Sequence, residues 1–374
     1  MQTAKAFMDQ AQRQSGLSDF GPDSFREGLE VLTDSLSQEA RLNELGEQFL
    51  SHRIVTHLTQ RLQVEEWYRR HPEIDDEPID KPLFGLSLPR TGSTALSFLL
   101  AEDPEIRYLR RWEAAQPCPP PGTVEGDDPR AVEERQKQQR AGLQSHTPSG
   151  GKEAAECQDL MALDFKSHIF QAFAYVPRYS AWLLDADLES TYRYQRRVLK
   201  LLQWQMPTRP WRLKCPTHLL FLDDLNKAFP DARFVMTHRD PAEVIPSVVD
   251  VYADILCRFT EHSDNDYLIE LNLQHWSKGM ERTLAFRDKG HEHRFYDIAF
   301  SDMQADPIVQ VCGLYGWMGE AVSEAFREGM ARWWQDNESQ RQSRPKGLSP
   351  GQRYGIDVEA MRPYFAGYCQ RFSG

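Results

Sequence analysis

Three short strand candidates, each ending in a turn that opens a helix, constrain this chain more than any other feature. Residues 82–88 (PLFGLSL) run into Pro89-Arg90-Thr91-Gly92-Ser93-Thr94 and a helical pattern to Ala101. Residues 211–215 (WRLKC) run into Pro216-Thr217 and a helical pattern reaching about Ala228. Residues 233–238 (RFVMTH) run into Arg239-Asp240-Pro241 and another helix. Strands alternating with helices indicate a mostly parallel sheet wrapped by helices, an α/β fold. Ligands in such folds sit beyond the carboxyl ends of the strands, where all three turns lie. A last strand is expected at 293–298 (HRFYDI). Further helices are expected at 130–142, 192–205, 266–288 and through most of 306–336, with a short one near 357–370 in a loop-rich tail.

Leucines and valines recurring at threes and fours predict helix over 24–70, and a polar, proline-marked linker follows at 71–82. This gives two units: a helical segment over 1–80 packed on a core, and an α/β domain over 81–374 with a helical insertion at about 116–205. Loops are expected at 116–129 and 145–152. The 374 residues are 40% hydrophobic, enough for a sizeable core. A net charge of −12 argues against a nucleic-acid partner. No apolar run reaches the roughly 18–20 residues that span a bilayer, and the N-terminus lacks the apolar stretch of a secretory signal. Six cysteines without a C-x-x-C pair suit free thiols, and a cytoplasmic location is expected.

The first turn almost reads as a nucleotide-binding phosphate loop, Gly-x-x-x-x-Gly-Lys-Ser/Thr. Here Gly85 is followed five residues later by Arg90, so the loop is one residue short and carries arginine for lysine. Gly92 permits a tight turn, and the N–H groups of the next helix make an anion site. Arg90 adds a planar charge, and Ser93 and Thr94 add hydroxyl donors. At the third turn Ser247 follows Arg239 by eight residues, so the two could converge on a second anion. A helix N-cap with a solvated arginine is the competing reading. At the middle turn Lys214 ends a strand and His218 begins a helix, in a functional or a structural role.

These residues resemble the sulfotransferases that use 3′-phosphoadenosine 5′-phosphosulfate (PAPS). The match runs from about 82 to 316. Pro89 to Thr94 resembles that family's 5′-phosphosulfate loop, and Arg239 with Ser247 its 3′-phosphate site. Lys214 with His218 resembles its strand-end lysine and nearby histidine, and Phe300 to Pro307 (FSDMQADP) a later motif. The middle and 3′ motifs are similar to those of a bacterial branch. The first loop resembles that of tyrosylprotein sulfotransferases, which use arginine there and a glutamate some twenty residues later as base. Glu113 lies 23 residues after Arg90. Phe300 stands where a tyrosine is common.

The resemblance implies a P-loop-like three-layer fold with a central, mostly parallel sheet. Extra helices lie at the N-terminus and over the acceptor site. It implies transfer of a sulfuryl group from PAPS to an acceptor hydroxyl by in-line displacement, with no metal. Arg90 and Lys214 neutralise charge on the leaving phosphate, and Glu113 or His218 acts as general base. Arg90, Thr91, Gly92, Ser93, Thr94, Arg239, Ser247 and Phe300 hold the donor, with Lys346 and Arg353 from a basic C-terminal loop. An ion pair with Arg110 or Arg111 is the other reading of Glu113. Trp112, Phe165, Phe170, Phe173, Tyr175 and Trp182 are core or pocket aromatics. A small phenol, a steroid or lipid alcohol, a glycan and a peptide tyrosine are all open as acceptors. The apolar residues favour a small-molecule or lipid hydroxyl compound, and an oligomer is possible. Two rivals are a P-loop kinase or triphosphatase, for which LLFLDD (219–224) mimics the magnesium-binding strand, and a non-catalytic nucleotide-binding protein.

Overall fold

The computed structural model describes residues 1–140, 154–262, 264–342 and 350–372. Five parallel strands form one sheet: β1 (Leu83–Leu86), β2 (Arg107–Tyr108), β3 (Trp211–Lys214), β4 (Arg233–His238) and β5 (Phe295–Ala299), in the spatial order β2-β3-β1-β4-β5. The chain leaves β1 for the β2 edge, returns to β3, then crosses β1 to reach β4. Both crevices beside β1 therefore open where the connections reverse, the usual ligand position in such sheets. The central strands are buried along their length. Their side chains alternate between two apolar clusters, as strand geometry requires. Phe84, Phe234 and Met236 enter the larger cluster, whereas Leu83 and Val235 enter the smaller. Helices on each face complete three layers, and the α/β expectation holds.

The helices preceding the sheet are α1 (Ala4–Ser15), α2 (Phe25–Gln38) and α3 (Glu44–Arg70). The continuous helix expected over 24–70 is in fact two. The break has local causes: Arg41 adopts a left-handed φ of 43°, and the Asn43 side chain accepts the Gly46 N–H as an N-cap. The leucine periodicity bridges the break because Leu36 and Leu42 both pack inward or nearly so. Phe7, Leu29, Leu32, Leu50, Ile54 and Leu58 join the same large cluster as the sheet.

Helix α4 (Ser93–Leu100) follows β1, and the short α5 (Arg111–Ala115) follows β2. The insertion then contributes α6 (Pro129–Arg140), α7 (Gln158–Met161), α8 (Ile169–Phe173), α9 (Pro177–Asp185) and α10 (Glu189–Gln203). The loop expected at 145–152 lies outside the described residues. After β3 the expected single helix is instead a 3-10 turn (Pro216–Leu220) and α11 (Leu222–Ala228), separated by Phe221. β4 leads into α12 (Pro241–Leu256) and then α13 (Asn265–Phe286). After β5 come α14 (Phe300–Ala305), α15 (Pro307–Met318), α16 (Glu324–Gln342) and the tail helices α17 (Pro350–Tyr354), α18 (Val358–Met361) and α19 (Ala366–Phe372).

One buried polar knot ties the N-terminal helices to the insertion. Arg61 on α3 and Asp164 before α8 have no exposed side-chain surface. Arg61 donates to the carbonyls of Phe20 (2.7 Å), Pro22 (2.7 Å) and Leu163 (3.1 Å) and to Asp164 Oδ1 (3.3 Å). Asp164 also accepts hydroxyls from Ser24, Ser190 and Thr191. Among the described residues, no helix is long and apolar enough to cross a membrane.

Candidate functional site

The turn between β1 and α4 is held from below by a chain of hydroxyls. Thr91 Oγ1 donates to the Leu88 carbonyl (2.8 Å) and meets Thr237 Oγ1 (2.7 Å), which also meets Ser87 Oγ (2.7 Å). Thr91 is fully buried. Its side chain therefore fixes the loop to β4, and the expectation that it binds a ligand is restricted to its backbone. Arg90 adopts a left-handed φ of 64°, a conformation that disfavours a non-glycine residue by about 1–2 kcal/mol. Such strain clusters at functional turns. Here it sends the exposed Arg90 side chain across to α12, where Nε donates to Ser247 Oγ (3.1 Å).

Gly92 is needed on two counts. Its φ of 92° is left-handed, and a Cβ there would lie 3.2 Å from the Phe300 ring. Phe300 at the start of α14 thus packs directly on the loop, and its other contact is the Arg239 guanidinium, 4.4 Å from the ring centroid. Arg239 donates from Nη1 to the Arg90 carbonyl (3.1 Å) and from Nε and Nη2 to Glu243 (2.9 and 2.7 Å). Arg90, Gly92, Arg239, Ser247 and Phe300, which are far apart in sequence, therefore form one cluster at the carboxyl ends of β1 and β4.

Lys214 ends β3 on the other side of β1. Its stem passes the bare Gly85, where a Cβ would approach Lys214 Cγ to 3.2 Å. Nζ donates to Thr94 Oγ1 on the first turn of α4 (3.3 Å) and to the Glu156 carboxylate. The Lys214 side chain is 7% exposed and that of Glu156 32%. Three cations from three adjacent strand ends thus surround the N-terminus of α4, an arrangement suited to a polyanion.

The two residues expected as bases are placed differently. Glu113 has no exposed surface. It accepts Arg107 Nη2 (2.6 Å), Arg110 Nη1 (3.2 Å) and the Arg110 backbone N–H (3.1 Å), closing the N-terminus of α5. The ion pair with Arg110 is present, and Arg107 joins it as a second partner. His218 is also fully buried, with Nδ1 2.9 Å from the Tyr192 hydroxyl and its ring edge-on to Phe84. Burial lowers its pKa to about 3, so the imidazole is neutral. Neither side chain reaches the surface where the cations gather, because each is enclosed by the element it stabilises.

Two further expectations concern the tail. Lys346 lies outside the described residues. Arg353 on α17 is near the cluster but engaged: Nη1 donates to Asp250 on α12 (2.6 Å), one turn beyond Ser247. Among the aromatics, Phe165 and Phe170 are fully buried and Trp112 nearly so, as core. Phe173, Tyr175 and Trp182 are partly exposed. In LLFLDD, Asp223 bonds Lys289, and Asp224 bonds Lys227 and the Leu188 N–H. Both aspartates begin α11 instead of ending a strand, unlike the magnesium-binding carboxylate of a kinase.

Sequence reasoning missed Glu156 and the Ser87–Thr237 support. The alternation of hydroxyls with apolar residues in the strands hinted at the latter. Nothing local marks Glu156, which arrives at Lys214 only because the insertion returns there.

The sequence profile of the sulfotransferase family matches residues 82–324. Among solved structures, sulfotransferase STF9 from Mycobacterium avium superposes with a TM-score of 0.89 at 30% identity, covering 100% of this chain and 97% of that one. Sulfotransferase STF1 from Mycobacterium tuberculosis H37Rv gives 0.82 at 30% identity, covering 98% and 99%. Both alignments run well beyond the profile and take in the N-terminal helices. No curated protein sequence matches the chain significantly.

Proposed function

This chain belongs to the sulfotransferase family, and on that premise we propose that it uses PAPS as sulfuryl donor and a small-molecule or lipid hydroxyl compound as acceptor. One observation carries the reading: Arg90, Lys214 and Arg239 gather around the N-terminus of α4. Lys214 and Arg239 each rest on a part-exposed carboxylate that an anionic ligand can replace. The donor fits this set because its two anionic ends match the two halves of the cluster. Arg90, the N–H groups at 92–94, Ser93, Thr94 and Lys214 take the 5′-phosphosulfate. Arg239 and Ser247 take the 3′-phosphate, with Phe300 bracing Gly92 and Arg239.

The donor supplies an activated SO3 group, and the protein supplies position and charge. Arg90 and Lys214 stabilise the charge that grows on the leaving phosphate oxygen. Preorganised donors of this kind contribute roughly 2.7–4 kcal/mol each. Arg353 joins the 3′ side by exchanging Asp250 for the phosphate, and Lys346 of the same basic segment is a second cation for it. Glu113 and His218 hold β2, α5 and the 3-10 turn after β3 in place beneath the site.

Calorimetry with 3′-phosphoadenosine 5′-phosphate (PAP), with and without Mg2+ and against ATP, tests the donor. Metal-independent binding that prefers the 3′-phosphorylated nucleotide and is lost in Arg239→Ala is the expected result. Stronger binding of ATP with Mg2+ would replace this reading with that of a nucleotide kinase.

A further inference from the structure

With Glu113 and His218 enclosed, the acceptor's proton needs another destination. We infer that Glu156 is the general base of the transfer, an inference that rests on the donor reading above. Glu156 is the carboxylate that touches Lys214, the cation of the 5′ side. Its side chain is part-exposed and both of its oxygens have partners. Gln158 Nε2 donates to Oε2 (2.9 Å). The Cys157 N–H donates to the Lys214 carbonyl (3.0 Å), and the Ala155 N–H to that of Leu109 (2.7 Å). Ala154 also bridges to Arg110 in antiparallel fashion. The backbone on both sides of Glu156 is thus stitched to the ends of β2 and β3. The next carboxylate along the chain, Asp159, is held by Arg53 (2.8 Å).

The Lys214–Glu156 pair keeps both groups in register until the substrates arrive. The phosphosulfate draws the Lys214 ammonium toward the leaving oxygen, and this frees Glu156 Oε1 to accept the acceptor's O–H. In the transfer, a bond forms between the acceptor oxygen and sulfur as the bond from sulfur to the 5′-phosphate oxygen breaks. The acceptor's proton passes to Glu156. The leaving electron pair stays on the phosphate oxygen, beside Lys214 and Arg90.

The test compares wild type, Glu156→Gln and Glu156→Asp with 35S-labelled PAPS and two phenol probes, 2-naphthol and 4-nitrophenol. Release of labelled sulfate to water serves as the readout should neither phenol be accepted. Glu156→Gln keeps the shape and one acceptor oxygen for Lys214, and Gln158 can turn its amide to accept from the new NH2, so PAP binding by calorimetry stays near wild type. Its turnover of 2-naphthol falls on the order of 10²–10⁴-fold. The deficit shrinks for the more acidic 4-nitrophenol, which needs less help from a base, and Glu156→Asp recovers part of the rate. A positional role for Glu156 would lower both phenols alike, and that result overturns the inference. So does a Glu156→Gln protein that binds PAP and turns over at the wild-type rate. Wild-type protein that fails to bind PAP refutes the donor reading itself.

Discussion

Two groups of charges in this protein look alike in sequence and differ in how they are used. Neither member of the Arg61–Asp164 knot has exposed side-chain surface. Its hydrogen-bond partners are backbone carbonyls and the hydroxyls of Ser24, Ser190 and Thr191, with the Lys166 ammonium 4.0 Å from Asp164. The Lys214–Glu156 and Arg239–Glu243 pairs stand at strand ends, each with a carboxylate in reach of water. A buried pair is held because nothing can replace either member without leaving a desolvated charge. A crevice pair is held only until a better anion arrives. The number of irreplaceable partners, more than the charge itself, separates scaffold from site.

Breaking the interior pair gives the largest effect. Asp164→Ala leaves Arg61 buried without its counter-ion and should lower stability by about 3–5 kcal/mol, read as the urea midpoint. PAP affinity at low temperature should change little. An equal loss of binding would show that the two regions are coupled after all. Lys214→Ala reverses the pattern: the unfolding midpoint stays close to wild type, and turnover falls by roughly 10²–10³. Ser247→Ala removes one hydroxyl from the proposed 3′ side. PAP binding should weaken by about 1.5–3 kcal/mol, with no matching loss for a nucleotide that lacks the 3′-phosphate.

Acid sharpens the contrast from the interior side. Burial lowers both His57 and His218 from 6.5 to about 3. Between those values the unfolded chain binds more protons than the folded one. Stability is therefore at its full value above about pH 6.5 and falls as the pH drops, by about 1.4 kcal/mol per unit for each histidine. Thermal melts from pH 7 to 4 should record this slope, and His218→Asn should remove one histidine's share of it while the buried His57 and His168 keep theirs. The smallest effect belongs to Arg353→Ala, an exposed pair, with PAP affinity within about threefold of wild type. An affinity equal to wild type would remove Arg353 from the proposed 3′ side.

The same distinction explains what could be read in advance. Strand β4 carries the bounds expected for it, and the loop from Pro89 to Thr94 lies where the strand-turn-helix pattern put it. The places of Arg90, Gly92, Lys214 and Arg239 could be read because local geometry delivers each to a strand end, and that of Ser247 because it lies in the second turn of the helix that follows. β2, two residues long, leaves no periodic trace. Insertion helices α7 to α9 are too short to show one clearly. Thr91, Glu113 and His218 have the chemistry of site residues, but burial is a tertiary property that no local pattern displays. Glu156 failed in the opposite sense: its neighbours in the chain are unremarkable, and its position depends on where the insertion comes home.

That homecoming sets what can be changed around the site. The isolated bridge between Arg110 and Ala154, with the Ala155 and Cys157 N–H bonds beside it, brings the two ends of residues 111–153 together next to β2 and β3. Closure of a loop depends only weakly on its length, about 0.6 kcal/mol per doubling. The segment after α5 can therefore change in length while Glu156 and Lys214 keep their spacing, whereas α5 itself is fixed because Glu113 ties it to Arg107. In such a layout the length of a segment and the geometry of the strand ends that anchor it can change independently.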